Sequence, residues 1–250
     1  MEYHIKLDKE HGAKYAILPG DPGRVEKIAA LLDEPVQIAC NREYNSYMGF
    51  LDGEKVLVIS TGIGGPSAAI CVEELVHIGV DTFIRVGTCG GMQASVDPGD
   101  LVIATGAIRM DGTSKEYMPI EFPAVADFEV TNAIYAAAEK LGYPKHTGVV
   151  QAKDSFYGQH EPESMPAGPE LLYKWDAWKR GGCLASEMEG ATLFIVSAVR
   201  KCRAGAVFHC VWNQEVSDSP MPKKRNEDTS CAIKTAVEAL RILIKQDKNK

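Results

Sequence analysis

The sequence has no surplus of positive charge: 27 lysines and arginines stand against 34 aspartates and glutamates, a formal net charge of −7 over 250 residues. Broad nucleic-acid or anionic-membrane binding needs an extended basic surface. Neither is therefore an expected partner, and any anionic substrate must be held by local arginines. No apolar run approaches the ~20 residues of a membrane span, and Met1-Glu2-Tyr3-His4-Ile5-Lys6 lacks the charged-then-apolar layout of a signal peptide. The expected location is the cytoplasm. No Cys-x-x-Cys pair occurs among the seven cysteines, and Cys71, Cys202 and Cys210 sit inside apolar stretches as small reduced hydrophobes; neither a disulfide nor a structural metal is expected. The histidines (His4, His11, His77, His146, His160 and His209) are scattered, so no Ser-His-Asp or Cys-His arrangement can be argued, and His77 is expected to pack on a helix face.

What is present is a repeated pattern. Apolar runs break off into glycines and a charged or amide residue: Tyr15 to Leu18 before Pro19-Gly20-Asp21, Val56 to Ile59 before Ser60-Thr61-Gly62, Phe83 to Val86 before Gly87-Thr88, and Val207 to Trp212 before Asn213-Gln214. In open α/β sheets ligands bind outside the carboxyl ends of the strands, so the pattern implies an enzyme or small-ligand binder. Strand-like runs alternate with helical ones, which favours one domain over residues 1–250, a sheet covered by helices on both faces. The expected helices are Pro22 to Leu32, Ser67 to Gly79, Asp127 to Gly142, Glu170 to Arg180, Ser186 to Cys202 and Asp228 to Lys245. Asp111 to Val125 and Gly158 to Pro169 read as long loops, Pro222-Lys223-Lys224-Arg225 as a solvated loop, and Gln246 to Lys250 as a frayed tail.

Four segments carry chemistry. Pro19-Gly20-Asp21-Pro22-Gly23-Arg24 is strand, glycine turn and helix start, which outlines an anion site with Arg24 as donor; a capped helix with a solvated arginine fits it equally. Arg85, inside an apolar run, needs a charge partner, for which either a bound anion or an internal carboxylate serves. Glu187-Met188-Glu189 opens a very apolar helix; Ser186 with Glu189 makes a capping box, yet the two carboxylates could also hold a polyol. Lys153 to His160 ends a strand in aromatics: a flat ring could stack on Phe156 while Gln159 reads its edge, or the segment is an ordinary aromatic-rich turn. A fifth segment, Gly62-x-Gly64-x-x-Ser67 with Asp81 about 20 residues on, approaches a dinucleotide fingerprint. It fails because Asp81 precedes the next apolar run and falls on the wrong side of the sheet for a ribose.

Taken together these residues resemble the nucleoside phosphorylase family whose hexameric members include uridine phosphorylase and the bacterial-type purine nucleoside phosphorylase. The resemblance rests on Pro19 to Val25, Ser60 to Ser67 running into Val72 to Leu75, Ile84 to Thr88, Glu121 to Asp127 and Glu187 to Glu189, and covers nearly the whole chain. It implies an α/β three-layer sandwich with a central mixed sheet flanked by helices. It further implies a pentosyltransferase that splits a nucleoside, uridine before adenosine or inosine, with inorganic phosphate as co-substrate and no redox cofactor.

The resemblance assigns phosphate to Gly20, Arg24, Arg85 and Thr88, with Arg42 of a neighbouring subunit. It assigns ribose to Met188 and Glu189, with Glu187 nearby and His4 of the same neighbour, and the base to Phe156, Gln159, Val211 and Trp212. Shared sites imply a homo-oligomer, a dimer-built hexamer. Some uridine phosphorylases hold a monovalent cation between subunits, and the positions matching that potassium site are Glu43, Ile63 and Ser67. The chain departs from the pattern at the base. Many uridine phosphorylases carry arginine two residues after the glutamine and another after the asparagine, where this chain has Glu161 and Gln214. Purine phosphorylases use an aspartate near Asn213, which cannot donate a proton. Gln159 with His160 and Asn213 is left as a variant base site. The rival readings are a nucleosidase, in which water replaces phosphate, and a non-catalytic nucleoside-binding module.

Overall fold

A computed structural model describes residues 1–216 and 225–250; Pro222, Lys223 and Lys224 of the expected solvated loop lie outside them. In chain order the elements are β1 (Tyr15–Pro19), α1 (Val25–Ala29), β2 (Asp33–Asn41), β3 (Tyr44–Leu51), β4 (Glu54–Ile59), α2 (Gly65–His77), β5 (Thr82–Gly91), β6 (Leu101–Met110) and α3 (Thr113–Tyr117). They continue as β7 (Ala124–Val125), α4 (Phe128–Leu141), β8 (Lys145–Lys153), α5 (Phe156–His160), α6 (Gly168–Arg180), β9 (Ala185–Glu187), α7 (Gly190–Val199), β10 (Arg203–Asn213) and α8 (Ser230–Lys248).

The sheet is mixed, as the resemblance implies, and helices cover both faces. On one face α2 and α7 bury Ala69, Val72, Leu75, Leu193 and Phe194. On the other, α4 offers Val130, Ile134 and Ala137 to Ile233, Val237 and Leu240 of α8, apolar residues recurring at helical spacing. The runs β1, β4, β5 and β10 are mutually parallel, which brings their carboxyl ends to one edge. The sequence does not signal closure. β10 pairs with both β5 and β6, and β6, β8, β9 and β5 complete the ring, leaving β1, β4, β3 and β2 as an open wing. Gly87 belongs to that closure, because a Cβ there would lie 2.5 Å from the Phe208 ring of β10.

Several boundaries move for identifiable reasons. The helix expected from Ser186 starts at Gly190, because Ser186 and Glu187 are extended and pair with Gly90, Gln151 and Ala152. No capping box forms; the Glu187 carboxylate instead accepts from the Glu189 and Gly190 amides at 2.9 and 2.8 Å. The helix expected over Pro22 to Leu32 splits into a 3-10 turn, Pro22–Arg24, and the short α1. The two expected loops hold structure: α3 and β7 in the first, and in the second the end of α5, a 3-10 turn at Pro162–Ser164 and the start of α6. Arg109 organises the first, donating to the carbonyls of Ser114, Met118, Pro119 and Phe122, a tertiary cap invisible to local pattern. His77 does not pack on its helix; its ring faces Glu2 at 3.1 Å and is largely exposed.

The tail is not frayed. α8 runs to Lys248, and its Asp247 accepts from Tyr15 Oη (2.9 Å), Lys14 Nζ (2.9 Å) and Arg203 (2.6 Å), joining the carboxyl terminus to the amino ends of β1 and β10. Burial opposes the Asp247 charge, but hydrogen bonds from Arg203, Lys14 and Tyr15 outweigh it and hold the carboxyl well below the usual carboxylate range. The stability so gained is present above the unfolded pKa of about 4 and is lost as pH falls toward the native value. Asp247→Ala is expected to lower unfolding free energy by about 2 kcal/mol at pH 7 and to flatten the acid limb of the stability curve. Urea denaturation at pH 7 and pH 3.5 checks both.

Candidate active site

Chain from six strand ends meets in one cavity of about 680 Å³. After β1 the chain turns at Gly20, where Asp21 accepts from the Gly23 amide at 2.9 Å. The turn carries Arg24 into the cavity wall, where among the described residues its guanidinium finds only long contacts: Asp21 at 3.6 Å and the Val86 carbonyl at 3.4 Å. Burial, and then the neighbouring Arg85 charge, both work against the Arg24 cation. Two guanidiniums thus face a common space, as an anion would require.

Arg85 projects from β5 and is 4% exposed. It has an internal partner, the second of the two alternatives left open by the sequence: its terminal nitrogens donate to the Glu189 carboxylate and to Thr61 Oγ1 (3.2 Å), with Glu187 at 3.8 Å. Glu189 also accepts from the Gly64 amide at 2.6 Å. Gly64 has φ +91°, a conformation that places this amide and that favours glycine. Among the described residues Arg85 Nε is buried without a hydrogen-bond partner, so one donor of the cluster is left over. Burial, reinforced by the Glu189 charge, pushes the Glu187 carboxyl upward despite Arg85.

At the other end of the cavity stand Phe156, His160 and Trp212, with ring centroids 4.3 Å (Phe156–His160) and 4.7 Å (His160–Trp212) apart. Burial, and then the Lys153 charge, lower the His160 pKa to about 4, so at neutral pH the imidazole is uncharged. Gln159 Oε1 lies 2.7 Å from Ser186 Oγ. Two guanidiniums, two carboxylates with Met188 between them, and an aromatic slot therefore follow one another along a single wall.

Gly20, Arg24, Arg85, Thr88, Phe156, Gln159, His160, Glu187, Met188, Glu189, Val211 and Trp212 are brought together there. Asn213 is not: it is fully buried, its amide donates to the Gln93 and Val96 carbonyls at 2.7 and 2.8 Å, and its oxygen accepts from the Glu215 amide. It clamps the chain after β5 and cannot reach a base. Its neighbour Gln214 does approach Gln159, at 3.4 Å. Arg42, at the exposed β2–β3 turn, and His4, held by Glu74 at 2.6 Å, lie outside the wall of this chain's cavity. Glu43 and Ser67 are hydrogen-bonded at 2.8 Å beside Gly62. Glu43 and Ile63 line the cavity near Ser67; carboxylate, backbone carbonyl and hydroxyl oxygens are donors that hard cations take, so these residue types fit the implied potassium ion. Asp81 sits at the amino end of β5, away from the cavity, as its sequence position implied. Sequence reasoning missed Lys153, Ser186 and Arg225, which also line the wall. The only signal was a lysine closing the apolar run of β8.

The family model described as the phosphorylase superfamily matches residues 14–245. The chain belongs to the phosphorylase superfamily. Among superfamily relatives, it is 54% identical to a uridine phosphorylase of Treponema pallidum, over 98% of this chain and 95% of that protein. It is 44% identical to the uridine phosphorylase of Klebsiella aerogenes (97% and 98%) and 39% identical to a guanosine phosphorylase of Halorubrum lacusprofundi (96% and 98%). For a superfamily member with this pocket, inorganic phosphate at about 100 times its dissociation constant is expected to raise the melting temperature by about 5–10 °C. In Arg24→Ala the shift should shrink to near zero while the phosphate-free melting temperature changes little, measurable by differential scanning fluorimetry in a phosphate series.

Proposed function

We propose that this protein is a uridine phosphorylase, converting uridine and phosphate to uracil and ribose 1-phosphate in cytoplasmic nucleoside salvage. The observation that carries the reading is the under-paired Arg24 beside Arg85, within one cavity that also holds Glu189 and the aromatic slot. The names of the relatives support uridine as the nucleoside. Phosphate occupies the space between Arg24, Arg85, the Gly20 turn and Thr88. The ribose hydroxyls donate to Glu189, with Met188 against the sugar, and the base lies in the slot of Phe156, His160 and Trp212.

As the glycosidic bond stretches, the sugar becomes cation-like, and a dianion fixed beneath it stabilises the charge that develops. Arg85 spans the two halves of this arrangement, since it pairs with Glu189 and faces the phosphate space. Glu187 sets the geometry by capping α7, so that Glu189 is presented at the helix mouth. His4 and Arg42 complete the site from a neighbouring subunit in a dimer-built hexamer, and Glu43, Ile63 and Ser67 would hold a potassium ion through their oxygens. Asn213, fully engaged with backbone, offers no acid for a departing purine. Three arginines around the nucleophile also argue against water in its place.

Uridine is expected to be consumed only when phosphate is present, with ribose 1-phosphate as product, and faster than thymidine, adenosine or inosine. Glu189→Ala should lower kcat/KM by about 100-fold or more. Chromatography of the four nucleosides with and without phosphate checks this. Undiminished turnover in phosphate-free buffer would overturn phosphorolysis, and preference for a purine would overturn only the base.

A further inference from the structure

Lys153, the last residue of β8, is 4% exposed and has no part in the chemistry described so far. Its ammonium carries three donors. Among the described residues one of them is used, to Ser186 Oγ at 2.6 Å, and no carboxylate pairs with it. Ser186 Oγ lies 2.7 Å from both Gln151 Oε1 and Gln159 Oε1. Having a single proton, the hydroxyl accepts from lysine and donates to one of the two amides. Two ammonium N–H groups remain at the cavity wall, and leaving them idle in a buried position is costly. The surrounding slot is neutral: Phe156, Trp212, Gln159 and, at neutral pH, His160. Burial lowers the Lys153 pKa to about 8 against the pull of Glu187 and Glu189, so the lysine is still mainly charged at pH 7.

We propose that Lys153 is a catalytic residue that binds the carbonyl oxygen of the departing base and holds the negative charge it acquires. The proposal rests on the phosphorolysis argued above. A phosphate oxygen forms a bond to C1′ while the C1′–N bond breaks, and its electron pair moves into the base ring and onto the carbonyl oxygens. The ammonium keeps its proton throughout; the base anion takes its proton from water after release. A donor aimed at the oxygen where charge develops contributes most in the transition state. The same lysine disfavours a base presenting an amino group at that position, which sets two donors face to face.

Leaving-group acidity separates this role from a structural one. In Lys153→Met, kcat for uridine is expected to fall about 100-fold, but for 5-fluorouridine, whose fluorine already disperses the charge, by less than about 10-fold. KM for phosphate should stay unchanged, and Lys153→Arg should retain most activity. Equal losses for the two nucleosides, or none, would overturn the proposal. If Lys153→Met fails to fold, as circular dichroism reports, Lys153→Gln, which keeps a donor toward Ser186, is measured in the same way. Wild-type turnover of uridine with phosphate tests the functional reading by itself. If the wild type instead cleaves guanosine or inosine, that reading falls, and the Lys153 comparison is made between inosine and its 7-methyl analogue, a better leaving group.

Discussion

The buried pairing of Arg85 with Glu189 and Glu187 is the interaction on which the rest of the site depends. Removing these charges from water is expensive, and a partner lost from such a cluster typically costs about 3–5 kcal/mol. The chain therefore surrounds them with fixed donors: the Gly64 amide on Glu189, the Glu189 and Gly190 amides on Glu187, and Thr61 beside Arg85. These contacts come from the interior of β5 and from the chain after β4 and at the end of β9. The loops at the carboxyl edge are thus tied to one another through charge as well as through the sheet.

That cluster also links binding to geometry. In the proposed reaction Glu189 serves the sugar and Arg85 the nucleophile, and because the two are paired with each other neither can shift without disturbing the other. Arg24, by contrast, is held among the described residues only by long contacts. The site pairs one guanidinium already committed to protein with one left available, a division that suits recruitment of a small anion to a rigid centre.

Much of this was legible in the sequence because it was local. Breaks from apolar run to glycine or amide marked the strand ends at β1, β4 and β10, whereas β5 runs on past the break at Gly87 to Gly91 because β10 pairs with it that far; Asp127 before Phe128 and Gly142 after Leu141 bounded α4 through ordinary caps. What escaped was non-local. Ser186 looks like a helix cap until its pairing with Gly90 and Gln151 is known. Asn213 looks like a ligand until its backbone partners are found. The Arg109 cap and the Asp247 anchor each join residues that no spacing rule connects, and Lys153 is distinguished from a solvated lysine only by the packing around it.

Closure of five strands into a ring also settles where unsatisfied backbone is left. β5, β6, β8, β9 and β10 find partners on both sides, whereas β2 ends the wing as a largely exposed strand. An open edge of this kind is a template for intermolecular pairing. Here it begins Asp33-Glu34-Pro35, two acidic side chains and a residue with no amide hydrogen, and its register slips between Asp33 and Val36 and again between Gln37 and Ala39. Irregular, charged and short of donors, β2 is poorly suited to recruiting a foreign strand, so the fold protects this open margin from aggregation by composition instead of by cover.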